Sequence, residues 1–128
     1  GYVLAADTVV ALGQRNLEKA ADEAEAEAFL RLLSGRAHQC ITGLAVRAPD
    51  GRVSARTVLA RVKFKRLTEK EIATYVASGE WKGKAGGYGI QGMAGAFITG
   101  INGSYTAIVG LPLYETKAML EGMGWRAS

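Results

Sequence analysis

Glycines crowd residues 84 to 112, from Lys-Ala-Gly-Gly-Tyr-Gly-Ile-Gln-Gly through Gly-Ser-Tyr to Gly-Leu-Pro. Without a Cβ the backbone can approach a ligand closely and present its N–H groups. Lys84 and Gln91 stand among the glycines, so the stretch reads as a wall for an anionic, hydrogen-bonding small molecule. A set of tight turns would account for the glycines alone. The polar side chains are what a purely structural turn does not need.

At 128 residues the chain has the size of one domain with its own core, and residues 1–128 are read as a single nucleotide-binding domain. No apolar run is long enough to span a bilayer, and no signal peptide is visible. The single cysteine, Cys40, cannot form an internal disulfide, which fits a reducing cytoplasm. Its neighbours alternate as in a strand, so Cys40 reads as a small structural residue. A net charge of +4 suits a phosphate-bearing ligand or weak nucleic-acid binding. The chain opens on Gly1 and enters an apolar strand at once, which predicts a processed, engineered or incomplete polypeptide.

Tyr2 to Ala6 is expected to be a short buried strand ending at Asp7-Thr8, with extended chain continuing to Leu17 around a turn at Gly13 to Asn16. Asp22, with Glu25 three residues on, predicts a helix start, and Ser34-Gly35 its end. Residues 38 to 48 and 52 to 65 form a hairpin about Pro49-Asp50-Gly51. Thr68 with Glu71 caps a second helix that stops at Ser78-Gly79. Short strands are expected near 88–90, 96–98 and 105–109, then a last helix over about 113 to 121.

Several residues can carry chemistry. Asp7 at a strand end can bind a divalent cation or take a proton from water, and can equally cap a turn. Lys19, Lys82 and Lys84 can meet phosphate or stand in solvent. His38, the only histidine, is expected to hold a helix-to-strand corner by hydrogen bonds. Arg61, Lys63, Lys65 and Arg66 form a basic stripe with no interleaved aromatic on its face, so it reads as a solvated surface and not as a nucleic-acid site.

With these residues in place, the chain resembles the Maf family of nucleoside triphosphate pyrophosphatases, named for septum formation. The likeness rests on Ala6-Asp7-Thr8-Val9-Val10, Leu33-Ser34-Gly35-Arg36 with His38, Thr42-Gly43, Arg61-Val62 with Phe64, Lys84-Ala85-Gly86, Tyr88-Gly89-Ile90-Gln91-Gly92, Gly103-Ser104-Tyr105 and Val109-Gly110-Leu111-Pro112. It implies an α/β fold, a mixed twisted sheet with flanking helices and a long β-hairpin, as in inosine triphosphatase-like proteins, with the N-terminal part missing. It also implies metal-dependent hydrolysis of a triphosphate between its α and β phosphates, with Mg²⁺ or Mn²⁺ as cofactor. Asp7 then matches the proton-accepting, metal-holding aspartate, and Lys19 and Lys84 match phosphate-facing lysines. Thr8 and Gln91 match selectivity positions, in the version of the branch acting on dTTP and UTP. A nucleoside triphosphate is the implied partner, a homodimer is consistent with the likeness, and neither nucleic acid nor membrane is expected.

The sequence departs from that pattern in three places. The family's Ser-x-Ser-Pro-Arg-Arg loop is not among these residues, Glu18-Lys19-Ala20 stands where Gly-Lys-Pro is usual, and Thr106-Ala107 stands where Ser-Asn is usual. An alternative reading is therefore a catalytically weak or inactive nucleotide-binding or interaction module of the same fold, linked to cell division.

Overall fold

The computed structural model describes residues 1–126. Five strands, β1 (Val3–Leu12), β2 (Arg15–Leu17), β3 (Ala37–Arg47), β4 (Val53–Phe64) and β5 (Ile98–Gly103), form one sheet in the order β2-β1-β3-β4-β5. All four ladders are antiparallel. Four helices accompany them: α1 (Glu23–Leu33), α2 (Glu69–Ser78), α3 (Tyr105–Val109) and α4 (Leu113–Gly122). The α/β class, flanking helices and long hairpin expected from sequence are all present.

Helix and hairpin boundaries follow local chemistry. Asp22 caps α1 by accepting the Glu25 N–H at 2.8 Å. Thr68 and Glu71 complete a reciprocal capping box at α2, and Gly79 ends that helix in the left-handed region. β3 alternates between covered and open positions, as a sheet with one solvated face requires. Val10, Cys40, Val62 and Phe64 on the covered face meet α1 and α2 through Phe29, Leu30, Leu33, Ile72 and Tyr75. Further along, Leu44, Val46 and Val58 meet α3 and α4 through Ala107 and Met119. Both core clusters thus lie on one side of the sheet. The opposite face stays open, with Leu59 at 56% and Val53 at 65% exposure.

Three expectations are corrected. The first strand does not end at Asp7-Thr8, nor is its beginning buried: β1 runs ten residues, and Val3 to Asp7 are exposed. Nine consecutive pairs with β3 carry it past the aspartate, whose weak strand preference is outweighed by the ladder. Residues 105–109 form α3, because Ser104 accepts the Ala107 N–H at 3.1 Å and starts a helical turn. Residues 88–90 form no strand, with irregular chain leading into a turn at Ile90, and Met93–Phe97 is a 3-10 helix, so the strand placed at 96–98 begins only at Ile98 and runs on to Gly103.

Candidate active site

A cavity of about 700 Å³ borders the first core cluster, and Val10, Cys40 and Tyr88 of that cluster line it together with Ile108, Val109 and Gly110. Asp7, Thr8, Lys19, Lys84 and Gln91, the five residues singled out from sequence, all line it. They come from β1, the segment after β2 and the glycine-rich stretch.

Backbone pairing joins the segments that carry the two lysines. Lys19 forms an isolated antiparallel bridge with Ala85, which ties the segment after β2 to the glycine-rich stretch next to Lys84. Next in line, the Gly86 N–H donates to the carbonyls of Leu17 and Glu18, each at 3.0 Å. Gly86 is required there: at φ +72°, a Cβ would lie 2.9 Å from the Val10 side chain. The Lys84 stem crosses Gly89, whose Cβ would meet its Cε at 3.3 Å.

Gln91 is held from below by a residue that sequence reading missed. The Glu80 carboxylate accepts the Met93 N–H at 3.0 Å and occupies the space where a Gly92 Cβ would sit, 1.9 Å from its Oε1. Glu80 therefore pins the loop that carries Gln91. Nothing local marks it, since the contact joins the end of α2 to a turn beyond the lysines. Among the described residues, the Gln91 amide has no protein hydrogen-bond partner.

Thr8 and Asp7 need separate treatment. Successive strand residues face opposite sides of a sheet. Thr8 pairs with Thr42 and lies on the covered side, where its hydroxyl bonds the Thr42 hydroxyl at 2.9 Å. Asp7 pairs with Gly43 on the open side and also borders a shallow depression lined by Ala5, Gly43 and Arg56. It reaches the main cavity because β2 covers β1 only from Val10 onward, which leaves the strand edge at Asp7 free.

Three lysines (Lys19, Lys82, Lys84) face two carboxylates (Asp7, Glu80) around the cavity. Among the described residues none of these five groups forms an ion pair, so the cations remain available to an anionic ligand. Lys82 lies 5.8 Å from the Trp81 ring centre. The basic stripe is partly neutralised, since Lys65 pairs with Glu71 at 2.8 Å.

His38 holds the wall and not the chemistry. Its Nε2 hydrogen-bonds the Tyr88 hydroxyl, and its ring packs edge-on against Tyr88 and Phe64. Burial pushes its pKa down to about 4, so it is neutral at ordinary pH. Burial likewise pushes the Cys40 thiol up, which keeps it protonated and unreactive, and raises the Tyr88 phenol. No group of three or more His, Cys, Asp or Glu side chains able to hold a metal occurs among the described residues. Among the described residues no helix is long and apolar enough to cross a membrane.

The sequence signature of the family described as Maf-like protein matches residues 1–123. A dTTP/UTP pyrophosphatase of Hyphomonas neptunium is 82% identical over 98% of this chain and 65% of its own length. Proteins of the same name from Caulobacter vibrioides and Maricaulis maris are each 59% identical, over 98% and 97% of this chain and 65% and 60% of theirs. The chain thus spans somewhat less than two thirds of the length of these relatives. Its cavity lysines, glycine wall and Asp-Thr strand fall inside the matched span, and the chain belongs to the Maf-like protein family.

Proposed function

We propose that this chain builds the nucleotide cleft of a nucleoside triphosphate pyrophosphatase, which hydrolyses dTTP, UTP or a modified pyrimidine triphosphate to the monophosphate and pyrophosphate. One observation carries the reading: Asp7, Thr8, Lys19, Lys84 and Gln91, remote in sequence, line a single cavity of nucleotide size. The names of the relatives point the same way. Residues 1–128 act in this reading as one nucleotide-binding unit, and a cytoplasmic setting suits its lone buried thiol.

Attack of water on the α phosphorus needs a proton acceptor, positive charge on the phosphate oxygens and a fixed nucleotide. Asp7, exposed on the free strand edge, takes the proton from the attacking water as pyrophosphate leaves. Lys19 and Lys84, both on the cavity lining, neutralise phosphate oxygens. Gln91 turns its amide N–H toward a carbonyl of the base, and Thr8 faces the neighbouring edge.

A divalent cation fits this donor set in one way. Mg²⁺ is commonly held by one or two carboxylates together with substrate phosphates and water, and Asp7 with the phosphates meets that need without a protein cage. When bound, it offsets charge on the phosphate oxygens. The test is Asp7→Asn, which keeps an exposed side chain of equal size. Pyrophosphate release from UTP should disappear while thermal stability stays within about 0.5 kcal/mol. Turnover equal to that of the unaltered chain would remove Asp7 from the mechanism. Nucleotide binding with no turnover in the unaltered chain would favour the inactive module.

A further inference from the structure

Thr42 is completely buried, yet its hydroxyl sits between two partners. It donates to the Ala107 carbonyl at 3.0 Å, and it bonds the Thr8 hydroxyl at 2.9 Å. A carbonyl only accepts and a threonine hydroxyl has one proton, so Thr42 spends its proton on Ala107. The proton between the two threonines therefore belongs to Thr8. The Thr8 hydroxyl, which lines the cavity, has only lone pairs left to offer a ligand.

We infer that Thr42 is a positioning residue for base selection: by taking the Thr8 proton it turns Thr8 into an acceptor-only contact that requires an N–H on the ligand. The inference deepens the pyrimidine reading above and rests on it for the ligand's identity. An imide base, uracil or thymine, has an N–H flanked by carbonyls. Its N–H meets Thr8, and one carbonyl meets the free Gln91 amide N–H. Cytosine presents a lone pair at the ring nitrogen and an amino group beside it. The Thr8 contact then sets lone pair against lone pair, while the unpartnered Gln91 amide can turn its donor or its acceptor to either base, so Thr8 carries the discrimination. The relay also couples selection to the fold, because Ala107 belongs to α3, whose carbonyl fixes the direction of the chain of bonds. Replacing one hydroxyl three atoms from the ligand should thus change preference without touching the ligand.

The test compares Thr42→Val, which keeps shape and loses the relay, with Thr42→Ser, which keeps it. Calorimetric binding of UMP and CMP needs no turnover, and UTP hydrolysis is followed separately. The unaltered chain and Thr42→Ser should favour UMP, and Thr42→Val should lose about tenfold of that preference, mainly by gaining CMP affinity, because the freed Thr8 can donate to the cytosine ring nitrogen. A preference unchanged in folded Thr42→Val, verified by circular dichroism, overturns the relay while leaving the enzyme reading intact. Equal binding of UMP and CMP by the unaltered chain overturns it as well. Absence of UTP hydrolysis together with the expected shift in preference rejects the enzyme reading and keeps the relay.

Discussion

Gly92→Ala should damage the cleft through Glu80 and not through its own backbone. Gly92 has φ −102° and ψ −149°, close to extended chain, so alanine meets no left-handed strain there. Its methyl group, however, would arrive 1.9 Å from Glu80 Oε1. The carboxylate must swing away and give up the Met93 N–H that it accepts at 3.0 Å. An exposed charge-assisted bond of this kind is worth about 1 kcal/mol, or roughly 3–5 °C in Tm for a chain of this size. Glu80→Ala removes the same bond from the other side. The two changes together should therefore cost no more than either alone, a coupling of about 1 kcal/mol in a double-mutant cycle. Gln91 lies next to the released glycine, so UMP affinity should fall about three- to tenfold in each variant. Thermal melts and calorimetry read both quantities. Additive losses, or an unchanged UMP affinity in Gly92→Ala, would refute the claim that Glu80 holds this loop.

Gly86→Ala should be far more costly, because it combines a left-handed φ with a 2.9 Å approach to Val10. Strain and overpacking sum to about 2–5 kcal/mol, measurable as a lower urea midpoint at unchanged slope. His38 predicts acid sensitivity. Its folded pKa of about 4 lies below the ordinary 6.5, so its contribution is complete above pH 6.5 and is lost as pH falls toward 4, by about 3 kcal/mol in all. His38→Phe should flatten stability across that window in pH-dependent denaturation, and an unchanged slope would show that another group titrates there.

What could be read from sequence follows the range of the forces involved. Helices α1 and α2 and the β3–β4 hairpin announce themselves within a few residues, through Asp22 with Glu25, Thr68 with Glu71, and Pro49-Asp50-Gly51. Helix α3 was open to the same reasoning, since Ser104 is a capping residue, but the strand-favouring Tyr105, Thr106, Ile108 and Val109 imitate a strand. Glu80 and Thr42 were not legible as site residues. Their roles depend on partners 13 and 65 positions away, Met93 and Ala107, which no local pattern specifies.

The pair Asp7-Thr8 shows how residues chosen from sequence can conceal the geometry. Adjacent positions in a strand cannot face the same way, and period-two alternation already says so. Thr8 belongs to the covered side with the glycine wall, and Asp7 to the open side. Both reach one ligand only if the ligand wraps the strand edge that β2 leaves bare before Val10. In the proposed reading a triphosphate takes that path, with its base over Thr8 and Gln91 and its phosphates turning past the edge toward Asp7. The same reading assigns Lys19 and Lys84 to the phosphates, so the Lys19–Ala85 bridge that joins their two segments bears on the proposed chemistry. Breaking the bridge with Ala85→Pro should separate the lysines and weaken UTP more than UMP, since only the longer ligand needs both charges. Equal weakening of the two nucleotides would place the lysines away from the outer phosphates and require a different path through the cleft.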